Sequence, residues 1–120
     1  MTEDELHLLA KTTAIMLTGS HEDYPFGEEH LVYRVKDKIF LFVTQRNGVK
    51  FLTLKSDPEQ SKINRAIFED IKPGYHMNKK HWISVYAGRD IHEEIVEHLI
   101  KNSYNLIISK LTKKERASLV

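Results

Sequence analysis

The chain has no cysteine, which excludes a disulfide framework, thiolate metal sites and cysteine nucleophiles. Its five glycines stand singly, at Gly19, Gly27, Gly48, Gly74 and Gly88, so there is no glycine-rich phosphate loop and no dinucleotide fingerprint. A Gly-x-Ser-x-Gly nucleophile elbow is absent as well. No apolar run approaches the ~20 residues that span a bilayer, and no membrane partner is expected. The opening MTEDEL is acidic where a signal peptide would be basic and then apolar, so a cytoplasmic setting is expected. What remains is 120 residues, 41% hydrophobic and 29% charged. That is the size and balance of one globular domain, residues 1–120, with a real core.

An excess of charge is also lacking, since the net charge is +1. The distribution says more. Residues 1–30 hold seven acids and one base, whereas residues 31–56 and 71–89 hold ten bases and one acid between them. A nearly neutral chain therefore contains two basic stretches, and the fold decides whether they meet.

Thr2-x-x-Glu5 is a capping-box pattern. Behind it Leu6, Leu9, Ala10, Thr13, Met16 and Leu17 keep a helical stripe, which predicts a helix over about residues 3–17. His21 to Glu29, with Pro25 and Gly27, has no period and reads as a loop. Leu31-Val35 and Lys38-Val43 form a hairpin around Lys36-Asp37, and Asn47-Gly48 turns the chain into Val49-Lys55. Ser56-x-x-Glu59, with Pro58 in the first turn, starts a second helix whose expected buried side is Ile63, Ala66 and Ile67. Tyr75-Met77 is a candidate short strand, and Trp82-Ala87 is a clear one. Asp90-x-x-Glu93 is expected to cap a third helix running to about Lys110, and Thr112-x-x-Glu115 a short last one. The order α-β3-α-β2-α makes an α+β, two-layer sandwich: an antiparallel sheet with its helices on one face.

Both basic stretches then belong to the sheet. Alternation sends Ile83, Val85 and Ala87 to the helices and Trp82, Ser84 and Tyr86 to the other face, together with Phe51, Thr53 and Lys55. An aromatic and basic surface is predicted on the helix-free side.

His92 and His98 are six apart on the third helix. That step rotates the second ring about 120° from the first, so they cannot act as a zinc pair. His76 and His81 lack a carboxylate to complete a metal site. The densest constellation is Pro73-Gly74-Tyr75-His76-Met77-Asn78-Lys79-Lys80-His81-Trp82. Asn78 has an ordinary explanation as a turn former, and Trp82 as a sheet anchor. Lys79 and Lys80 have less of one, because a tight turn seldom needs two adjacent lysines.

This stretch, with Asp23-Tyr24-Pro25-Phe26-Gly27, Ser56-Asp57-Pro58-Glu59, Ser103-Tyr104 and Lys110-Leu111, resembles the YjbR/MmcQ family of small bacterial proteins. The resemblance runs from about His21 to Arg116. It implies a fold related to the frataxin-like CyaY shape and a DNA-binding role with hairpins as paired wings. Iron binding does not follow, because the carboxylates of residues 1–30 are split between a helix and a loop. The residues expected to contact nucleic acid or another anion are Lys55, Tyr75, His76, Asn78, Lys79, Lys80, His81 and Trp82. DNA bound with low sequence specificity is the first expectation. An acidic small molecule or a protein partner at Tyr75 to Trp82 is the alternative. No catalytic residue, metal or cofactor is assigned, since no nucleophile or electrophile is placed beside the histidines.

Overall fold

In a computed structural model, which describes residues 1–75 and 77–119, the first helix, α1 (Glu3–Ile15), begins at a complete capping box. Thr2 Oγ1 accepts from the Glu5 N–H at 3.1 Å, and Glu5 returns a carboxylate oxygen to the Thr2 N–H at 2.9 Å. The chain then forms β1 (Ser20–Asp23), β2 (Leu31–Val35), β3 (Lys38–Arg46) and β4 (Val49–Lys55). After α2 (Pro58–Ile67) come β5 (Ile71–Pro73), β6 (Trp82–Tyr86), α3 (Glu93–Ser109) and α4 (Lys113–Ala117). The six strands make one antiparallel sheet in the order β1-β2-β3-β4-β6-β5. Asn47 and Gly48 both have positive φ, 53° and 78°, as a two-residue turn that matches the strand twist requires. Among the described residues, no helix is long and apolar enough to cross a membrane.

The α+β class and the helical side of the sheet agree with the sequence, while several local details differ. Ser20–Asp23 is an edge strand rather than part of a loop. Its residues are all polar, and what holds it is pairing with β2, where Arg34 Nε reaches Asp23 Oδ2 at 3.0 Å. Charged residues of this kind also keep a sheet edge from recruiting other strands. The short strand before β6 is Ile71–Pro73, and of the expected Tyr75-Met77 strand neither Tyr75 nor Met77 lies in one, while His76 is outside the described residues. Asp57, one residue after Ser56, caps α2 by accepting from the Glu59 and Gln60 N–H groups. Ser56 is instead buried, with its N–H donated to the His81 carbonyl at 2.8 Å. At α3 the N-cap is His92, which has no side-chain cap bond, so Asp90 does not form the expected box.

The sharpest difference is the orientation of α2. Ser61 and Asn64 are buried, while Ile63 and Ile67 are 50% and 63% exposed and Ala66 is exposed as well. This helix touches the sheet at the short strand β5, and its entry is set by the Asp57 cap and the Ser56 bond to His81. Those anchors, rather than its apolar stripe, set its rotation.

The core lies between the sheet and the pair α1 and α3, which pack on each other and on β3 and β4. Leu6, Ala10 and Ala14 meet Leu41, Val43, Leu52 and Leu54 there, with Val96, Leu99, Ile100 and Ile107 from α3. A β-bulge contributes to this packing. Tyr33 pairs with Leu41 but Arg34 with Ile39, so Phe40 is the extra residue, and Phe40 and Leu41 both join the core.

His7 on α1 anchors the helix to the sheet, with its Nε2 3.0 Å from the Phe51 carbonyl oxygen. Burial holds its pKa below the ordinary histidine value of 6.5. The unfolded chain therefore takes up this proton first as pH falls, and stability drops in the window below ~6.5 while being fully present above it. Urea unfolding at pH 7.5 and 5.5 should show a smaller loss of stability in His7→Gln than in the wild type. Equal losses would remove His7 as a cause.

Candidate functional site

On the opposite face of the sheet, alternation places Phe42, Thr44 and Arg46 of β3 beside Phe51, Thr53 and Lys55 of β4. Beyond them lies Trp82, paired in register with Lys55. These residues floor an open groove of about 950 Å³. One wall is the loop between β1 and β2, where Phe26 stacks on Phe42 with ring centroids 6.2 Å apart. The other is the β5–β6 loop, which contributes Tyr75 and Met77.

The floor is held by its own contacts. Phe42 and Trp82 meet edge to face at 5.8 Å, and Phe51 stacks on Tyr86 at 5.0 Å. Thr53 Oγ1 and Ser84 Oγ share a hydrogen bond of 2.8 Å, and Ser84 Oγ also accepts the Tyr75 N–H at 3.1 Å. Thr44 Oγ1 lies 2.6 Å from His30 Nδ1. Gly74 makes room for the wall, since a Cβ there would come within 2.7 Å of Trp82 Cβ and 3.0 Å of its backbone. Its N–H donates to the Trp82 carbonyl at 2.9 Å.

Cations sit at both ends. The Arg46 guanidinium lies 4.1 Å from the centroid of the Tyr75 ring, and Lys55 Nζ lies 6.0 Å from that of Trp82. Both distances fall in the range of cation–π attraction. Lys55 shares its end of the groove with Arg34, Lys38 and the Asp37 side of the β2–β3 turn. Arg34 is engaged by Asp23 and by the Asp37 carbonyl. The Lys55 pKa is lowered first by burial and then by the positive charges of Lys110 and Lys38.

Of the eight residues singled out in the sequence, Lys55, Tyr75 and Trp82 come together in the groove. Asn78, Lys79 and Lys80 are exposed on the loop behind the wall. There Asn78 Oδ1 accepts the Lys80 N–H, and the Asn78 carbonyl accepts from His81 and Trp82. This is the turn-forming role its residue type suggests. His81 is half-buried and does not line the groove. His76 lies outside the described residues. The expected outward face of Trp82, Tyr86, Thr53 and Lys55 is present. Not expected in the site from the sequence were Phe26, which stood out only as part of the Asp23-Tyr24-Pro25-Phe26-Gly27 motif, and His30, Arg34, Lys38, Phe42 and Arg46. The alternation of Phe42, Thr44 and Arg46 against Leu41 and Val43 was a usable signal for β3, but nothing placed Phe26 in the groove, because its neighbour Phe42 is distant in sequence.

The architecture defines a class: an antiparallel α+β sandwich with two long helices on one face and an aromatic, basic groove on the other. Within it, the family model described as YjbR matches residues 15–106, and the chain belongs to that family. The uncharacterised protein YbdF of Escherichia coli O157:H7 is 45% identical over 116 residues, covering 97% of this chain and 95% of its own length. The uncharacterised protein YjbR of Escherichia coli K12 is 29% identical over 87 residues, or 72% of this chain and 74% of that one. Among solved structures, the Deinococcus radiodurans protein DR2400, with a DUF419 domain, superposes with a TM-score of 0.82 at 34% identity. That match covers 98% of this chain and 87% of the other.

Proposed function

We propose that the protein is a non-enzymatic binding module that holds single-stranded nucleic acid, with little sequence preference, in the groove on the helix-free face. The observation that carries this reading is the combination in one open groove of aromatic rings, Phe42, Trp82 and Tyr75, with the cations Arg46 and Lys55. Bases stack on aromatic faces regardless of sequence, and basic side chains follow the phosphates. Lys79 and Lys80, exposed on the loop that supplies Tyr75 and Met77, add charge along the path of a strand. A duplex keeps its bases stacked inside and offers none to the rings, so single strands are favoured over the duplex DNA that a wing-like reading implies.

A second reading has its own support. A concavity of about 950 Å³ lies within the size range of small-molecule sites, and an acidic ligand with a planar body would suit the same residues.

Fluorescence anisotropy with labelled single-stranded DNA, RNA and duplex DNA, from about 50 to 200 mM salt, separates these readings. Micromolar or weaker binding to single strands is expected. With about four phosphates engaged, log K should fall against log salt with a slope near −2.8. Lys79→Ala/Lys80→Ala should weaken binding and flatten that slope. Absence of binding at low salt, or binding indifferent to salt, would overturn the nucleic-acid reading in favour of the small-molecule one.

A further inference from the structure

The Lys55 end of the groove differs from the rest in its charge. Lys38, at the start of β3, and Lys55, at the end of β4, both line it, and Lys110 follows about one turn after Ile107 of α3, which lines the same groove. The ion pairs among the described residues are Asp23–Arg34, Asp4–Lys50 and Glu59–Lys62. None of them uses Lys38, Lys55 or Lys110. The neighbouring acids are spoken for or set aside. Glu115 is held by the Thr112 capping box and acts on Lys36 and Lys38. Asp37 lines the groove through the turn, and among the described residues it forms no ion pair with Lys38 or Lys55. The C-terminus of α3 accounts for Lys110, its C-cap. It does not account for Lys38 and Lys55, which start β3 and end β4.

Holding a half-buried lysine beside two exposed ones costs energy, and an anion offsets that cost. The position of the group narrows the ligand. Lys55 Nζ stands 6.0 Å from the centre of the Trp82 ring, so an anionic head at Lys55 and a planar body on Trp82 belong to one small ligand.

We infer that the Lys38–Lys55–Lys110 end of the groove is a subsite for a phosphate monoester borne on a planar ring system. This inference rests on the groove being the binding site and adds the chemical identity of what lies at its end. A monoester carries about −1.5 to −2 charges near pH 7 and three acceptor oxygens, against one charge on an internal diester. It is therefore the better match for three cations. Two sources present this group: a free nucleoside monophosphate, and the phosphorylated end of a strand.

The test uses Trp82, the single tryptophan of the chain, whose fluorescence reports directly on the groove. Adenosine 5′-monophosphate should change it saturably, and adenosine should bind at least about tenfold more weakly, as expected for loss of charge-assisted hydrogen bonds. Lys55→Gln should remove most of that difference. Lys110→Gln, at an exposed position, does the same with less risk to folding, and thermal melts verify both variants. Equal binding of the nucleotide and the nucleoside, or wild-type nucleotide binding in both variants, would overturn the subsite.

A short oligonucleotide with and without a 5′-phosphate keeps the two proposals apart. If it binds equally in both forms and to Lys55→Gln, the subsite falls and the single-strand reading stands. If only the mononucleotide binds, the subsite stands and the single-strand reading falls. Preference for the phosphorylated strand supports both.

Discussion

Trp82→Ala is expected to weaken single-stranded DNA binding by roughly 5- to 150-fold, the loss of about 1–3 kcal/mol that accompanies removal of one base-stacking ring. Trp82 is placed for that role by contacts on three sides. Lys55 lies over its face, Phe42 meets it edge to face, and Gly74 packs against its Cβ without a side chain of its own. Removing the indole also removes packing, so the variant that discriminates is Trp82→Phe, which keeps a ring in the floor. It should retain most of the affinity, with a melting temperature near that of the wild type. Anisotropy of a labelled oligonucleotide measures both variants. Wild-type binding by folded Trp82→Ala would exclude the ring as a stacking platform and leave it as a sheet anchor.

The largest expected effect on stability comes from Ser103→Ala. Ser103 is fully buried on α3, where its Oγ donates to the Phe40 carbonyl at 2.6 Å and accepts the Lys55 N–H at 2.9 Å. The β3–β4 register ends with Leu41 opposite Leu54, so Phe40 and Lys55 are the next positions along. The bulge at Phe40 leaves these two backbone groups without each other, and the serine hydroxyl stands between them. Alanine would orphan one donor and one acceptor, each costing about 1–3 kcal/mol when buried. A total loss of about 2–6 kcal/mol is expected, or a fall in melting temperature of roughly 8–24 °C for a domain of this size. Denaturant unfolding gives the value, and a change below about 1 kcal/mol would mean that water or relaxation satisfies the pair. The same bond fixes the backbone from which the Lys55 side chain leaves, so weaker anion binding should accompany the loss.

Much of this molecule was legible in local signals. Thr2 and Glu5, and Thr112 and Glu115, are close enough in sequence to form their capping boxes without help from the rest of the chain. Asn47-Gly48 specifies its turn through φ alone. The alternation in Trp82-Ile83-Ser84-Val85-Tyr86 predicts which face receives the indole, since side chains change sides at every residue of a strand. The resemblance carried by residues 73–82 pointed to the YjbR family, to which the chain belongs.

Tertiary structure decided what depends on partners distant in the chain. Ser20 to Asp23 carries no strand signal of its own and becomes β1 only by pairing with β2. The stripe of Ile63 and Ile67 predicts burial, yet α2 is oriented by Asp57 and by the Ser56 bond to His81. The candidate site divides in the same way. Residues 73–82 stood out as one cluster, but only Tyr75, Met77 and Trp82 of the described ones line the groove, because a tight loop must point some of its residues away. Lys38 and Lys55 are apart in the sequence, and the sheet brings them into one groove, with α3 carrying Lys110 past Ile107 at its edge. The sequence determined local geometry and the faces of individual strands. Which charges and rings share one site followed from strand order, packing and the bulge at Phe40, for which no short stretch of residues carries the information.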